Sequence, residues 1–174
     1  FVSNTGNTGS FTRIAGGSVL GTDSVASWRG NAFDGSSKRI VIAAAPSNSN
    51  ALYVLYENGL SNTTPDIKPE VDLFKLDLSN NTWINRSTNM PDFPGGSNGG
   101  TDPITVQGGY DITVAVKPDD ENTVFIGGSS LYRSTDGFAT ANYDNTLSWI
   151  GGYGRNSVTN LSIYSNSHPD IHAL

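Results

Sequence analysis

The chain runs to 174 residues, 36% of them hydrophobic and only 15% charged, with a formal net charge of −6 and no cysteine. One medium domain with a real core is expected at that length, because a chain of roughly 150 residues buries about 70% of its unfolded surface. Scattered acids in place of clustered Lys and Arg exclude a phosphate-tracking nucleic-acid binder; missing thiols exclude a disulfide framework, and no apolar run reaches the ~18 residues of a membrane span.

In chain order, "FVSNTGNTGS" carries neither an initiator Met nor a signal-peptide pattern, so the chain is expected to be processed or excised. "SFTRIAGG" reads as the last strand of an earlier unit, and Trp28 is placed to pack before the first complete one. Residues 1–37 are thus read as the end of a preceding unit and a linker. From Arg39, "RIVIAAAPSNSNALYVLYENG" realigns without a gap with "DITVAVKPDDENTVFIGGSSL" from Asp111, a period of 72 residues. In each copy a β-branched run ends at Pro46 or Pro118, a polar turn reaches Asn50 or Asn122, and a second apolar run of strand length follows.

Two further strands complete each copy, "VDLFKLDL" and "NTWINRS" in the first, "SLYRSTD" and "LSWIGGY" in the second. The first complete unit is expected over residues 38–87 and the second over 109–153. Between them residues 88–108 form a Gly/Pro-rich loop, and "NGLSNTTPDIKPE" is a similar insertion inside the first unit; such loops build no core but often carry binding function. Residues 154–174 read as a linker and, in "HPDIHAL", the first strand of a following unit. No amphipathic helix is expected. Asn62, Asn80, Asn85 and Asn160 each begin an N-x-S/T sequon, which an Asn/Thr-rich chain produces by chance.

A four-stranded antiparallel unit in tandem, with Trp83 and Trp149 in its last strand, predicts an all-β fold: a partial β-propeller of about two complete blades plus flanking strands. A β-sandwich is the alternative. Propellers close with about four to eight blades, so a propeller segment would need remaining blades, a companion fragment or other copies of itself.

"LYRSTDGFAT" joins the third and fourth strands of the second unit, and its hydroxyl, acid and glycine predict a self-bonded hairpin turn. Its "STDGFAT" resembles the box of the Asp-box (BNR) propellers, the sialidase, sortilin and xyloglucanase-like superfamily. Ser134, Asp136 and Thr140 match the box beside Gly137; Phe138 stands where the box has its second glycine, and the tryptophan is displaced to Trp149 by "ANYDNTLS". "KLDLSNNTW", with Asp77 and Trp83, is a degenerate copy. The run "QGGYDITVAVKPDDENTVFIGGSSLYRSTDG", with the later "HPDIHAL", is similar to long-blade Asp-box proteins secreted by Bacteroidetes. The resemblance covers residues 39–174 and implies a secreted or cell-surface bacterial location, with Asp136 as a turn residue outside the ligand funnel.

Activity is less defined, because this superfamily mixes hydrolases, receptors and adhesins. A sialidase needs an arginine cluster, and Arg13, Arg29, Arg39, Arg86, Arg133 and Arg155 stand in no such context. The leading expectation is a module that binds glycan or protein; the alternative is a xyloglucanase-like glycoside hydrolase. Arg39, Asp111 and Asp170 take equivalent positions at the start of three successive first strands, so they are expected at one mouth of the channel. Asp111 and Asp170 form the candidate catalytic pair, for which glycoside hydrolysis needs carboxylates about 5 to 10 Å apart; bonding to loop amides or to Arg39 is the alternative role.

Arg39, Tyr110, His168 and His172 are the ligand-binding candidates. His168, Asp170 and His172 alternate and would share one strand face, but the outer pair would lie roughly 13 Å apart, too far for one ion. Hydrogen-bonded packing between blades is expected there, with no metal and no other cofactor.

Overall fold

A computed structural model describes residues 1–12, 14, 39–58, 71–91, 104, 106–141, 147–152 and 167–174. Strands β1 (Ile40–Ala45), β2 (Asn48–Glu57), β3 (Val71–Asp77) and β4 (Thr82–Asn85) form one sheet in that order. Strands β5 (Thr113–Lys117), β6 (Asp120–Gly127), β7 (Leu131–Ser134) and β8 (Leu147–Gly151) form a second with the same order. Every neighbouring pair is antiparallel. The described helical residues are two single 3-10 turns, Ser87–Asn89 and Gln107–Gly109. The fold is therefore all-β, and neither sheet closes on itself.

The repeat survives at the level of single hydrogen bonds. Ala45 pairs with Asn48 and Lys117 with Asp120, so each first hairpin turns on two residues, the first of them Pro46 or Pro118. Proline pre-sets the φ that the leading turn position needs and has no N–H to leave unpaired. Asn48 and Asp120 then each accept the amide two residues on, Asn50 N and Asn122 N, at 3.0 Å. The pairing register shifts at equivalent places too, between Ala44 and Ala45 and between Val116 and Lys117.

Alternation decides which side of each sheet meets the other. Val41, Ala43, Tyr53, Leu55, Val71 and Leu73 face one way from the first sheet and join Val114, Val124, Ile126 and Tyr132 of the second in one core. β1 lies directly against β5. The polar edge of this interface is stitched by Tyr53 OH donating to Glu121 O at 3.1 Å and by Lys75 Nζ 3.6 Å from Glu121 Oε1. On the far face of the first sheet Tyr56 stacks on Phe74, and Trp83 meets Phe74 edge-on. That face is less covered at β1, where Ile40 is 50% and Ile42 65% exposed.

One expected strand takes another form, and one lies half outside the described residues. Of "SFTRIAGG" only Ser10, Phe11, Thr12 and Ile14 are described, and Thr12 makes a single bridge with Val2, the chain folding back through Gly6 and Gly9, at φ 72° and 79°. Residues 168–174 join no ladder. Asp170 sits at φ 73°, which breaks the extended backbone that strict alternation requires. Trp28, Asn62, Asn160 and residues 59–70, 92–103 and 105 of the two long insertions lie outside the described residues. Asn80 and Asn85 each accept a nearby backbone amide, from Thr82 at 3.0 Å and Ser87 at 2.8 Å.

Candidate functional site

The start of β5 is shaped by three consecutive left-handed residues, Gln107, Gly108 and Gly109, at φ 48°, 70° and 83°. Two glycines make this run affordable in steric terms, since they lack the Cβ that clashes at positive φ. The amides of Gly109 and Asp111 both donate to Val106 O, at 2.9 and 3.1 Å. The tight reversal throws neighbouring side chains to opposite sides: Tyr110 is 67% exposed, whereas Asp111 is fully buried.

Across this loop lies the segment from Ser167 to His172. Ser167 Oγ accepts from Gly152 N at 2.9 Å, Asp170 N donates to Ser129 O at 3.3 Å, and Ile171 N donates to Gly128 O at 2.7 Å. Ile171 packs on Gly127, where an added Cβ would fall 2.8 Å from the Ile171 Cβ. Gln107 Nε2 donates to Asp170 Oδ1 at 2.9 Å, joining the two left-handed residues that flank the site.

Five of the sequence-predicted residues converge here. Arg39 donates through Nη1 to Tyr110 O at 3.0 Å. His172 meets the Tyr110 ring edge-on with centroids 4.6 Å apart, and its Nδ1 lies 3.5 Å from Tyr110 O and 3.0 Å from Asp111 Oδ1. The Asp111 contact is at ion-pair distance but lacks the alignment of a hydrogen bond, and neither Asp111 oxygen accepts one. Burial pushes the Asp111 carboxyl above the usual carboxylate range; the charge of Asp170 adds to this, His172 opposes it, and a hydrogen bond that a protonated Asp111 would make with Asp170 favours the acid form.

His168 stays apart: it is exposed, and its Nδ1 is 2.6 Å from the adjacent Pro169 O. The one-face alternation of His168, Asp170 and His172 fails with the strand that would have carried it. Among the described residues no group of three His, Asp or Glu side chains could hold a metal ion. Gln107, which orients Asp170, was missed in the sequence; its only signal was a polar residue ahead of Gly-Gly.

The turn after β7 is built at the opposite end of the second sheet. Asp136 accepts Ser134 Oγ at 2.8 Å, Ala139 N at 3.1 Å, Thr140 N at 3.1 Å and Thr140 Oγ1 at 2.7 Å. Desolvation raises its pKa, but the hydrogen bonds from Thr140, Ser134 and the two amides outweigh this and hold the carboxyl below its usual range. Ser134 Oγ in turn accepts from Phe138 N at 2.9 Å. Phe138, at φ 56°, is thereby turned into the core between the sheets. Asn89, in the 3-10 turn that follows the first unit, reaches over to donate to Phe138 O and Ala139 O, at 2.8 and 2.9 Å, so the turn after β7 is clipped to the end of the first unit. In the first unit Asp77 makes a smaller version, accepting Ser79 N at 2.9 Å and Ser79 Oγ at 2.6 Å. Trp149 tilts against Tyr132 at 5.4 Å and donates to Gly151 O.

Taken as chemistry, the Arg39–Tyr110–His172 group offers an exposed ring beside a guanidinium and an imidazole, next to a carboxyl pair of which one member is sealed from water. Asp111 has no exposed surface and lies against His172 and Asp170. Comparison with known proteins finds no family model that matches the chain and no curated protein that matches it.

Proposed function

We propose that this chain is a segment of an Asp-box β-propeller, secreted or displayed on a bacterial cell surface, that binds glycan at Arg39, Tyr110 and His172. One observation carries the binding reading: Tyr110 is 67% exposed, with His172 edge-on against its ring and Arg39 bonded to its carbonyl. An apolar ring face suits the C–H face of a sugar, and convergent polar groups fix its hydroxyls. The propeller reading is supported by two sheets of identical strand order stacked with β1 against β5, and by the self-bonded Asp136 turn at the end away from the site. Exposed Ile40 and Ile42 are where a neighbouring blade, from flanking sequence, a companion fragment or another copy, would cover the first sheet.

A hydrolase reading rests on the closeness of Asp111 and Asp170 and the raised pKa of Asp111, the profile of a general acid. The burial of Asp111 weighs against it. A glycan array with matched turnover assays separates the two. Binding that falls at least tenfold in Tyr110→Ala, with an unchanged melting temperature, is expected; release of reducing sugar that disappears in Asp170→Asn would favour the hydrolase, and a blank array would defeat the glycan reading.

A further inference from the structure

We propose that residues 167–172 are a proton-controlled strap over Asp111, held shut when the Asp111–Asp170 carboxyl pair carries a proton and loosened when both carboxyls ionise. The two acids belong to different elements: Asp111 to the loop that opens β5, Asp170 to the strap. Closing the strap therefore forces two carboxylates together and seals one of them from water, with neither Asp111 oxygen accepting a hydrogen bond. A single proton removes both penalties, because a protonated Asp111 can donate to Asp170 and no ionised group is then buried.

The strap is held by Gly152 N donating to Ser167 Oγ, by Gln107 Nε2 donating to Asp170 Oδ1, by the packing of Ile171 on Gly127 and by two backbone bonds. Among the described residues its backbone holds are Asp170 N on Ser129 O and Ile171 N on Gly128 O, and Asp170 itself is held at a positive φ. The charged and titratable groups facing Asp111 are Asp170 and His172 from the strap, Tyr110 beside it, and Arg39 from the start of β1, whose guanidinium is occupied with Tyr110 O. Gln107 and the serines of the Gly128–Ser130 turn do not titrate in the relevant range.

The sign follows from burial. Docking raises the carboxyl pKa of Asp111 above its open-strap value, so the contribution to docking is fully present below the ordinary carboxylate pKa of ~3.9 and is lost as pH rises through the raised value. Opening would lift His172 off Tyr110 and uncover Asp111, which couples the strap to ligand access if the glycan reading holds.

The test needs no ligand. Amide hydrogen exchange of Asp170 and Ile171, expressed as protection factors corrected for intrinsic rates, is followed from pH 4.5 to 8 in the whole chain. Protection is expected to fall at least tenfold over that range in the wild type and to stay level in Asp111→Asn. Asp170→Asn, which removes the other carboxylate but leaves Asp111 buried, should make the fall shallower and serves if Asp111→Asn does not fold. A level wild-type profile, a fall that persists in Asp111→Asn, or one as steep in Asp170→Asn as in the wild type, overturns the proposal. Failure of the glycan reading would show as a blank array and leave these profiles unchanged.

Discussion

Replacing Asp136 by Ala removes the acceptor of four hydrogen bonds at once, from Ser134 Oγ, Ala139 N, Thr140 N and Thr140 Oγ1. A net hydrogen bond to a charged group contributes about 1.5–3 kcal/mol when buried. The Asp136 turn is partly open to water, which re-solvates much of what the mutation frees, so the whole set is worth about 2 kcal/mol, similar to a strong helix cap. In a domain of this size that is a fall in Tm of roughly 4–8 °C. Urea unfolding followed by tryptophan fluorescence measures it directly. The pH dependence is a sharper check. The pKa of Asp136 is lowered, so its contribution is present above the ordinary carboxylate value of ~3.9 and lost only as pH falls through the lowered folded value. The stability gap between wild type and Asp136→Ala should therefore hold level from pH 7 to about 4 and close below that. A gap under ~0.5 kcal/mol at pH 7, or one that has already closed by pH 5, would refute the reasoning.

Gly137→Ala should be costlier than its size suggests. Gly137 stands at φ 64°, and an added Cβ would fall 2.3 Å from Tyr53 OH, so both backbone strain and loss of the Tyr53–Glu121 bond are expected, about 2–4 kcal/mol in urea unfolding. Tyr53 itself has its pKa pushed up to about 12, first by burial and also by Glu121, Asp120 and Asp136 against Arg86. Being raised, it supports stability fully below the ordinary tyrosine pKa of ~10 and loses that support as pH climbs through 12; absorbance at alkaline pH should show a late ionisation, together with unfolding, that is lost in Tyr53→Phe. Gly127→Val would set a Cβ 2.7 Å from Thr113 Cγ2 and 2.8 Å from Ile171 Cβ. Thr113 is fixed in the β5–β6 ladder, so Ile171 should yield: its amide is expected to lose exchange protection while the β6–β7 amides keep theirs.

The hairpins were legible because their causes are local. Pro46 and Pro118, the acceptors Asn48 and Asp120, and period-2 alternation act within a few residues of one another, and the 72-residue repeat printed the same turn twice. Ser134, Asp136 and Thr140 were readable for the same reason, since their bonds close over four residues. The meeting of Arg39, Asp111 and Asp170 at one end was visible only through the repeat, which assigns equivalent positions without saying what surrounds them. Alternation misled at "HPDIHAL", where spacing alone cannot show that the backbone spends its bonds on Ser129 and Gly128 and turns left-handed at Asp170.

Local order, then, was settled by the sequence by itself: two four-stranded antiparallel units and their turns, because short-range hydrogen bonds and side-chain period need no distant partner. Tertiary structure alone decided which acid is sealed from water, which histidine reaches it and which stays outside, and that Gln107 holds Asp170 in place. Burial and electrostatic environment arise from residues far apart in the chain, Tyr110 and His172 among them, and a charge acquires its pKa only once those neighbours have been brought beside it.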